Sequence, residues 1–405
     1  MIPYRELRKR IDRDKARKAA RRDGRARKYD DIEKAVTMRH YVKATRICRR
    51  GVRFKLSVQK YCMRPFKMIL SDREDMLAGR TPPVGQGKKI TIRERGKERI
   101  ITPIQIRDRV NQRVLCDYAL CPMTYPRLIY DNGASVKGKG VKFARDRVNM
   151  MIEKAKRQWG DDFYVLTFDF KKFFDSIPHA LCQEELEKTF LDKRIVEVTM
   201  GYVRGYGDED SDGDEDSDGG GDAGRGVCLG SHVSQVMALC VPNFLDHWIK
   251  DVAGEKLYVR SMDDGIIFHG DKRHLQEMMR SITRLCQEHG LRINEKKTRI
   301  VRARDGFTFL KVRYRLDGMR TVKRLDRSSV VRERRKLKKF REKIQEGKMT
   351  PEMVWASYQS WMGHTKRVMA FRQRKRMKAL VRELYPELNQ GVYQGLHPGK
   401  EVEAT

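Results

Sequence analysis

Apolar and polar positions divide this chain into stretches of different period. Between 31 and 80, Ile32, Val36, Tyr41 and Ile47, then Tyr61, Phe66, Met68 and Leu70, supply apolar positions at helical spacing. Pro82-Pro83 with Gly85 and Gly87 breaks that pattern. Two short runs, KKITIRE and KERIITPI, read as strands joined by Arg95-Gly96-Lys97, a hairpin with cationic edges. Arg107 to Leu120 reads as a helix, and NGASVKGKG as a turn rich in glycine and lysine. An apolar strand from Phe163 then ends in Asp169. A helix over Ala180–Glu187 follows, and we expect Asp175 and His179 to cap and orient it rather than bind metal. Gly226, Gly230 and Ser231 form a flexible turn opening a helix that runs through Leu245. From Tyr258 to Phe268, apolar residues approach and leave an acidic pair, which predicts a hairpin with Asp263 and Asp264 at its bend. A helix over His274–Glu288, a strand in GLRINEKKTRIV and a hairpin in GFTFLKVRY complete this region. Arg324 to Tyr385 is helical and basic, with Trp355, Tyr358, Trp361 and Met362 at the spacing of a core stripe.

Charge changes the picture. The 405 residues carry 89 Lys plus Arg against 55 Asp plus Glu, a formal net charge of +34. Such an excess predicts attraction to polyanions and says nothing about fold. Nucleic acid fits better than a membrane, because no run approaches the roughly 18 apolar residues of a spanning helix. No apolar segment follows the basic N-terminus, so a secretory signal is not expected. The eight cysteines are scattered without Cys-x-x-Cys or zinc spacing, which suits reduced thiols in a cytoplasmic protein. Residues 1 to about 30 are too densely charged to build a core and read as an arm or a solvated helix, which either meets nucleic-acid phosphates, the reading we favour, or only keeps the chain soluble. The acidic insert 207–225 is nearly devoid of apolar residues and is expected to be a solvated, disordered loop.

The chemistry centres on carboxylates. Adjacent acids at a tight turn repel unless a cation lies between them, and a hard dication with oxygen ligands suits the place. Taken alone, the Asp263-Asp264 pair is equally a solvated turn. A third acid at the end of a neighbouring strand would give a site for two divalent ions about 3.5–4 Å apart, the arrangement of in-line phosphoryl transfer. FDFKKFFDSI, GVCLGSHVSQ, MDDGIIF, LRINEKKT and GFTFLK, in this order and spacing from Phe163 to Lys311, are similar to the palm motifs of prokaryotic reverse transcriptases of the group II intron and retron kind.

That resemblance, over roughly residues 90 to 385, implies an α+β right-hand polymerase: fingers, a palm with an antiparallel sheet and helices, and a helical thumb. The divisions expected are a basic N-terminal arm and helix (1–55), fingers (56–160), palm (161–322), thumb (323–386) and tail (387–405), with no room for an RNase H or endonuclease domain. The implied activity is RNA-directed DNA synthesis with two Mg2+ ions, Mn2+ being a substitute. Asp169, Asp263 and Asp264 would hold the ions with the backbone of Phe170, and Lys297 would protonate the departing pyrophosphate. Arg99, Lys97, Phe174, Leu229, Gly230, Gln235 and Met262 would contact the nucleotide, Phe174 as the ring that rejects a ribose 2′-hydroxyl. Arg95, Lys137, Lys139, Arg335 and Lys338 would contact RNA. Lys311 stands where the family usually has glycine, which puts the geometry of that hairpin turn in question. Partners implied are an RNA template, the cDNA, dNTPs, and an accessory protein or a second copy of the chain. The nearest settings are diversity-generating retroelements and bacterial antiviral defence. Two rival readings are a template-independent or RNA-synthesising polymerase on the same palm, and a non-catalytic RNA-binding protein. Phe174 argues against the first, and three paired carboxylates without a cation argue against the second.

Overall fold

The computed structural model describes residues 20–85, 90–94, 97–101, 103–205, 224–318, 320–366, 368 and 370–389. The helical period over 31–80 resolves into α1 (Ile32–Ala35), α2 (Met38–Cys48), α3 (Leu56–Met63) and α4 (Pro65–Leu77). Asp31 caps α1 by accepting from the amides of Glu33 and Lys34, and Pro65 opens α4 where its missing N–H costs nothing. β1 (Ile90–Glu94) and β2 (Lys97–Ile101) pair antiparallel, with Arg99 opposite Ile92 and Lys97 opposite Glu94. Arg95 and nearly all of the acidic insert lie outside the described residues.

The helix expected over Arg107–Leu120 is a composite. Regular α5 (Ile106–Leu115) passes into a π-helix over Cys116–Leu120, followed by the short α6 (Cys121–Thr124). Pro122 has no amide to donate to the carbonyl four residues back, and the ladder slips to a wider register just before it. Beyond come α7 (Val141–Trp159), β3 (Tyr164–Asp169), α8 (Phe173–Ser176), α9 (His179–Glu187), α10 (Lys193–Arg204) and α11 (His232–Cys240). The continuous helix expected through Leu245 is broken: Pro242 cannot continue α11 and instead caps α12 (Asn243–His247). The cap position of α9 falls to neither Asp175 nor His179. Pro178 holds the cap position of α9 without a side-chain bond, while the His179 ring meets the Gly226 carbonyl at 2.7 Å.

β4 (Tyr258–Ser261) and β5 (Asp264–His269) form the predicted antiparallel hairpin, and the four-stranded sheet runs β4-β5-β3-β6, with β6 at Arg299–Arg302. The strand expected in GLRINEKKTRIV is confined to β6, so Lys296 and Lys297 sit in the preceding turn. α13 (Lys272–Glu288) precedes that turn. A second sheet joins β7 (Phe307–Phe309), β8 (Val312–Asp317) and β9 (Arg320–Leu325), and α14 (Arg327–Gln345), α15 (Pro351–Thr365) and α16 (Phe371–Leu384) follow. Leu310 and Lys311, with φ of 46° and 64°, form the two-residue β7–β8 turn. Both take the left-handed conformation that such hairpins favour, so Lys311 adopts what glycine usually supplies.

The chain divides into two compact units. The first, Met1–Val148, Thr167–Ile267 and Gln276–Arg299, has a core that includes Tyr41, Met76, Leu120, Phe168, Tyr202 and Ile266. The second, Asn149–Leu166, Phe268–Leu275 and Ile300–Thr405, buries Val312, Tyr314 and Leu316 on one face of β8 and exposes Arg313 and Arg315 on the other. In its helices Val354, Tyr358, Trp361, Met377 and Val381 are buried, while Trp355 and Met362 are only half-buried. Among the described residues no helix is long and apolar enough to cross a membrane.

Candidate active site

Val165, Leu166 and Phe168 bury the body of β3, and the strand stops at Asp169, itself only 8 % exposed. Backbone bonds hold the acid from two sides. The Asn294 amide donates to the Asp169 carbonyl at 2.7 Å, and the Phe170 amide donates to the Asp263 carbonyl at 3.3 Å. A further bond from the Lys171 amide to the Arg292 carbonyl, 2.8 Å, fixes the segment beyond the strand. The hairpin presents the other two acids. Ser261 pairs with Asp264, leaving Met262 and Asp263 as the turn, with Met262 left-handed at φ 59°. That conformation is uncommon for a residue with a side chain and has to be held by its surroundings.

The three acids are close enough to feel one another's charge. The Asp264 carboxyl is pushed up to about 7, first by burial and then by the neighbouring Asp263 and Asp169 charges, with Lys297 opposing. Lys297 donates to an Asp169 oxygen at 2.6 Å, and this bond, with the charges of all three acids, raises its own pKa. The structure thus brings Asp169, Asp263, Asp264 and Lys297 together. An oxygen-only donor set with excess negative charge, its members' mutual repulsion raising the Asp264 carboxyl, fits a hard divalent cation.

The surroundings follow from the strand's continuation. Lys172 takes a left-handed turn (φ 46°) into α8. Phe173 points inward, 4 % exposed, and stacks on Phe170 with centroids 4.9 Å apart, whereas Phe174 is half-buried. The amide of Val227 donates to the Phe174 carbonyl (2.8 Å) and that of Gly226 to the Ile177 carbonyl (2.9 Å), stitching the glycine turn to α8. In that turn Leu229 is half-buried, and exposed Gly230 has φ 100° with open space where a Cβ would stand. Gln235 is exposed on α11, and Met262 is half-buried.

Of the cations proposed for RNA, Lys137 is exposed. Lys139 instead donates to the Tyr130 carbonyl at 2.7 Å and lies over the Tyr130 and Phe143 rings, and burial lowers its pKa. Arg335 and Lys338 are exposed on α14 of the second unit. Two buried groups near the site escape a sequence reading. The Gln112 side-chain oxygen accepts from the Ser231 hydroxyl and the His232 amide, both at 3.0 Å, and so anchors the start of α11. Arg260, on β4 beside the turn, is fully buried against Asp246. The only signal for it in the sequence is a charged residue within an apolar strand.

A family model described as "Reverse transcriptase (RNA-dependent DNA polymerase)" matches residues 87–314. No curated protein sequence matches the chain. Among solved structures, the chain is similar to apo telomerase from Candida tropicalis truncated from its C-terminal domain: 14 % identity, 59 % of this chain and 55 % of that one, TM-score 0.43. It is also similar to telomerase from Candida albicans in complex with a fragment of telomeric RNA: 12 % identity, 62 % and 50 % of the two chains, TM-score 0.44. The chain thus spans about half the length of these structures. The family match, with residues 87–314 covering more than half of the 405, is what decides the assignment.

Proposed function

This chain belongs to the reverse transcriptase family of RNA-dependent DNA polymerases, and from that premise we propose that it copies an RNA template into DNA by two-metal-ion nucleotidyl transfer. The observation that carries the reading is the trio of acids that the end of β3 and the β4–β5 hairpin bring together, where burial and then the charges of Asp263 and Asp169 push the Asp264 carboxyl up. Asp169, Asp263 and Asp264, with the Phe170 backbone, would hold two Mg2+ ions, for which Mn2+ can substitute. Bound there, such ions supply a lowered pKa for the primer 3′-hydroxyl and charge stabilisation for the triphosphate. The rest falls to the protein. Phe174, held by the Val227 bond to its carbonyl, faces the sugar, and Leu229, Gly230, Gln235 and Met262 line the nucleotide. Arg99 and Lys97 on β2 grip phosphates as fingers, within 56–160. The palm spans 161–322, and α14–α16 form a thumb (323–386) whose exposed Arg335 and Lys338 follow the backbone of an A-form duplex. Lys297 gives its proton to pyrophosphate.

A bacterial retroelement or antiviral-defence role, with a cognate RNA, is the setting we propose. Sequencing the RNA and cDNA that copurify with the protein distinguishes the two. The activity itself is tested by Asp263→Asn. Mg2+-dependent dNTP incorporation on an RNA template should vanish while RNA affinity, which comes from Lys and Arg, stays nearly unchanged. Extension at the wild-type rate by this variant would refute the assignment.

A further inference from the structure

We propose that Arg260 is a positioning residue that sets the orientation of the catalytic acids by holding the peptide between Met262 and Asp263. The inference rests on Asp263 and Asp264 being the acids of the polymerase site. Arg260 and Asp246 both have fully buried side chains, and they meet through several bonds: Nε to the two carboxylate oxygens at 2.8 and 2.9 Å, and an Nη at 2.7 Å. The remaining guanidinium donors reach backbone. One goes to the Leu239 carbonyl on α11 at 2.8 Å, and one to the Met262 carbonyl at 2.9 Å. The Tyr258 hydroxyl donates to the same Asp246 carboxylate at 2.8 Å, which fixes that acid in turn.

A buried ion pair is weak grounds for stability, since apolar residues of similar volume generally replace it without loss. What an apolar pair cannot do is bind the carbonyl of a strained residue. Met262 is left-handed, its carbonyl belongs to the planar peptide that leads into Asp263, and Arg260 fixes the plane of that peptide. The next peptide is held as well, because the Asp263 carbonyl accepts from the Phe170 amide. Both peptides flanking Asp263 are therefore tied down, one to the palm interior and one to the strand bearing Asp169. The base of this clamp is itself anchored: the Arg260 amide donates to the Asp131 carbonyl and its carbonyl accepts from the Gly133 amide, at 3.2 and 2.8 Å. Arginine suits the role because its planar fork reaches an acid and two carbonyls in different directions, whereas one ammonium cannot. Pairing with Asp246 also balances its charge, so that Arg260 serves geometry without a net positive charge beside the carboxylates.

Three variants test this on the full-length protein: Arg260→Lys, Arg260→Met combined with Asp246→Leu, and Asp263→Asn for reference. The measurements are the melting temperature, single-nucleotide incorporation on an RNA template, and Mn2+ binding followed by its paramagnetic resonance without nucleic acid. Arg260→Lys keeps the charge pair and loses the Met262 bond. It should stay folded but melt lower than wild type, since the Leu239 carbonyl also loses its donor, lower kcat about 10- to 100-fold with KM for dNTP within about 3-fold, and weaken Mn2+ binding at temperatures where it is folded. The apolar double variant should do the same. Wild-type kcat and Mn2+ affinity in either folded variant would overturn the inference, and so would unfolding of both, which would make the pair purely structural. If Asp263→Asn itself extends primers normally, the reading of the site fails instead, and the two failures are distinguishable.

Discussion

Asp169 and Lys297, 128 positions apart in the chain, share a hydrogen-bonded ion pair 2.6 Å long. Its carboxylate end is nearly buried and its ammonium end half-exposed, and the bond holds the lysine's pKa up rather than down. A proton donor and a counter-ion are separable by substitution. Arginine keeps the positive charge but does not release a proton in the working pH range. If Lys297 donates to pyrophosphate, Lys297→Arg and Lys297→Met should both slow single-turnover incorporation about 100-fold. A full rate with arginine would reduce Lys297 to a counter-ion for Asp169.

Asp264 predicts a pH dependence of stability. Its carboxyl titrates near 7 in the folded chain against an ordinary 3.8, so between those values the folded state holds a proton that the unfolded chain has lost. This contribution is full below the lower value, declines as pH rises, and is gone above the upper one. In chelator, Asp264→Asn should therefore gain stability over wild type as pH climbs to about 7 and gain no more beyond it. Melting curves across pH check this, and a difference independent of pH would show that burial and the neighbouring acids do not raise the Asp264 carboxyl.

Phe173 and Phe174 meet edge to face at 5.7 Å, and only Phe173 is committed to the core. Phe174 is thereby left for another task. Phe174→Ala should raise ribonucleotide incorporation far more than it lowers dNTP use, measured as the rNTP to dNTP ratio of kcat/KM. An unchanged ratio would mean packing alone.

Leu229 stands half-buried in the turn before α11, and we propose that it faces the incoming nucleotide. An amide there forfeits a hydrogen bond worth about 0.5–1.5 kcal/mol when a base is misplaced, and leucine forfeits none. Leu229→Gln should lower the misincorporation frequency on a defined RNA template. An identical error spectrum would refute a role in fidelity.

Elements governed by local pattern were legible in the sequence. The apolar run ending at Asp169 and the hairpin around the acidic pair are set by short continuous apolar runs, and the structure has both, with the bend at Met262-Asp263 and Asp264 already on β5 rather than at the turn. Boundaries set by a single residue were harder to read. Pro122 and Pro242 each interrupt what apolar spacing alone joins into one helix. Polar contacts between distant elements were not legible at all. Gln112 meets Ser231 across 119 positions, and nothing local to either residue announces it. Asp246 and Arg260 are only 14 apart, yet their bond depends on α12 and β4 packing together, which periodicity does not encode.

Gly265, directly after the acidic pair, lies opposite Arg260 in the hairpin, and a methyl group built on it would collide with the tip of the Phe168 ring on the next strand. The glycine is what lets the Phe168 ring lie across β5, and a side chain there would push apart the two strands that carry the acids. In a library of random variants selected for polymerase activity, position 265 should then be as intolerant as 263 or 264, although it supplies no atom to the reaction. Such a screen would return three adjacent essential positions, and tolerance alone would assign chemistry to a residue whose whole contribution is empty space.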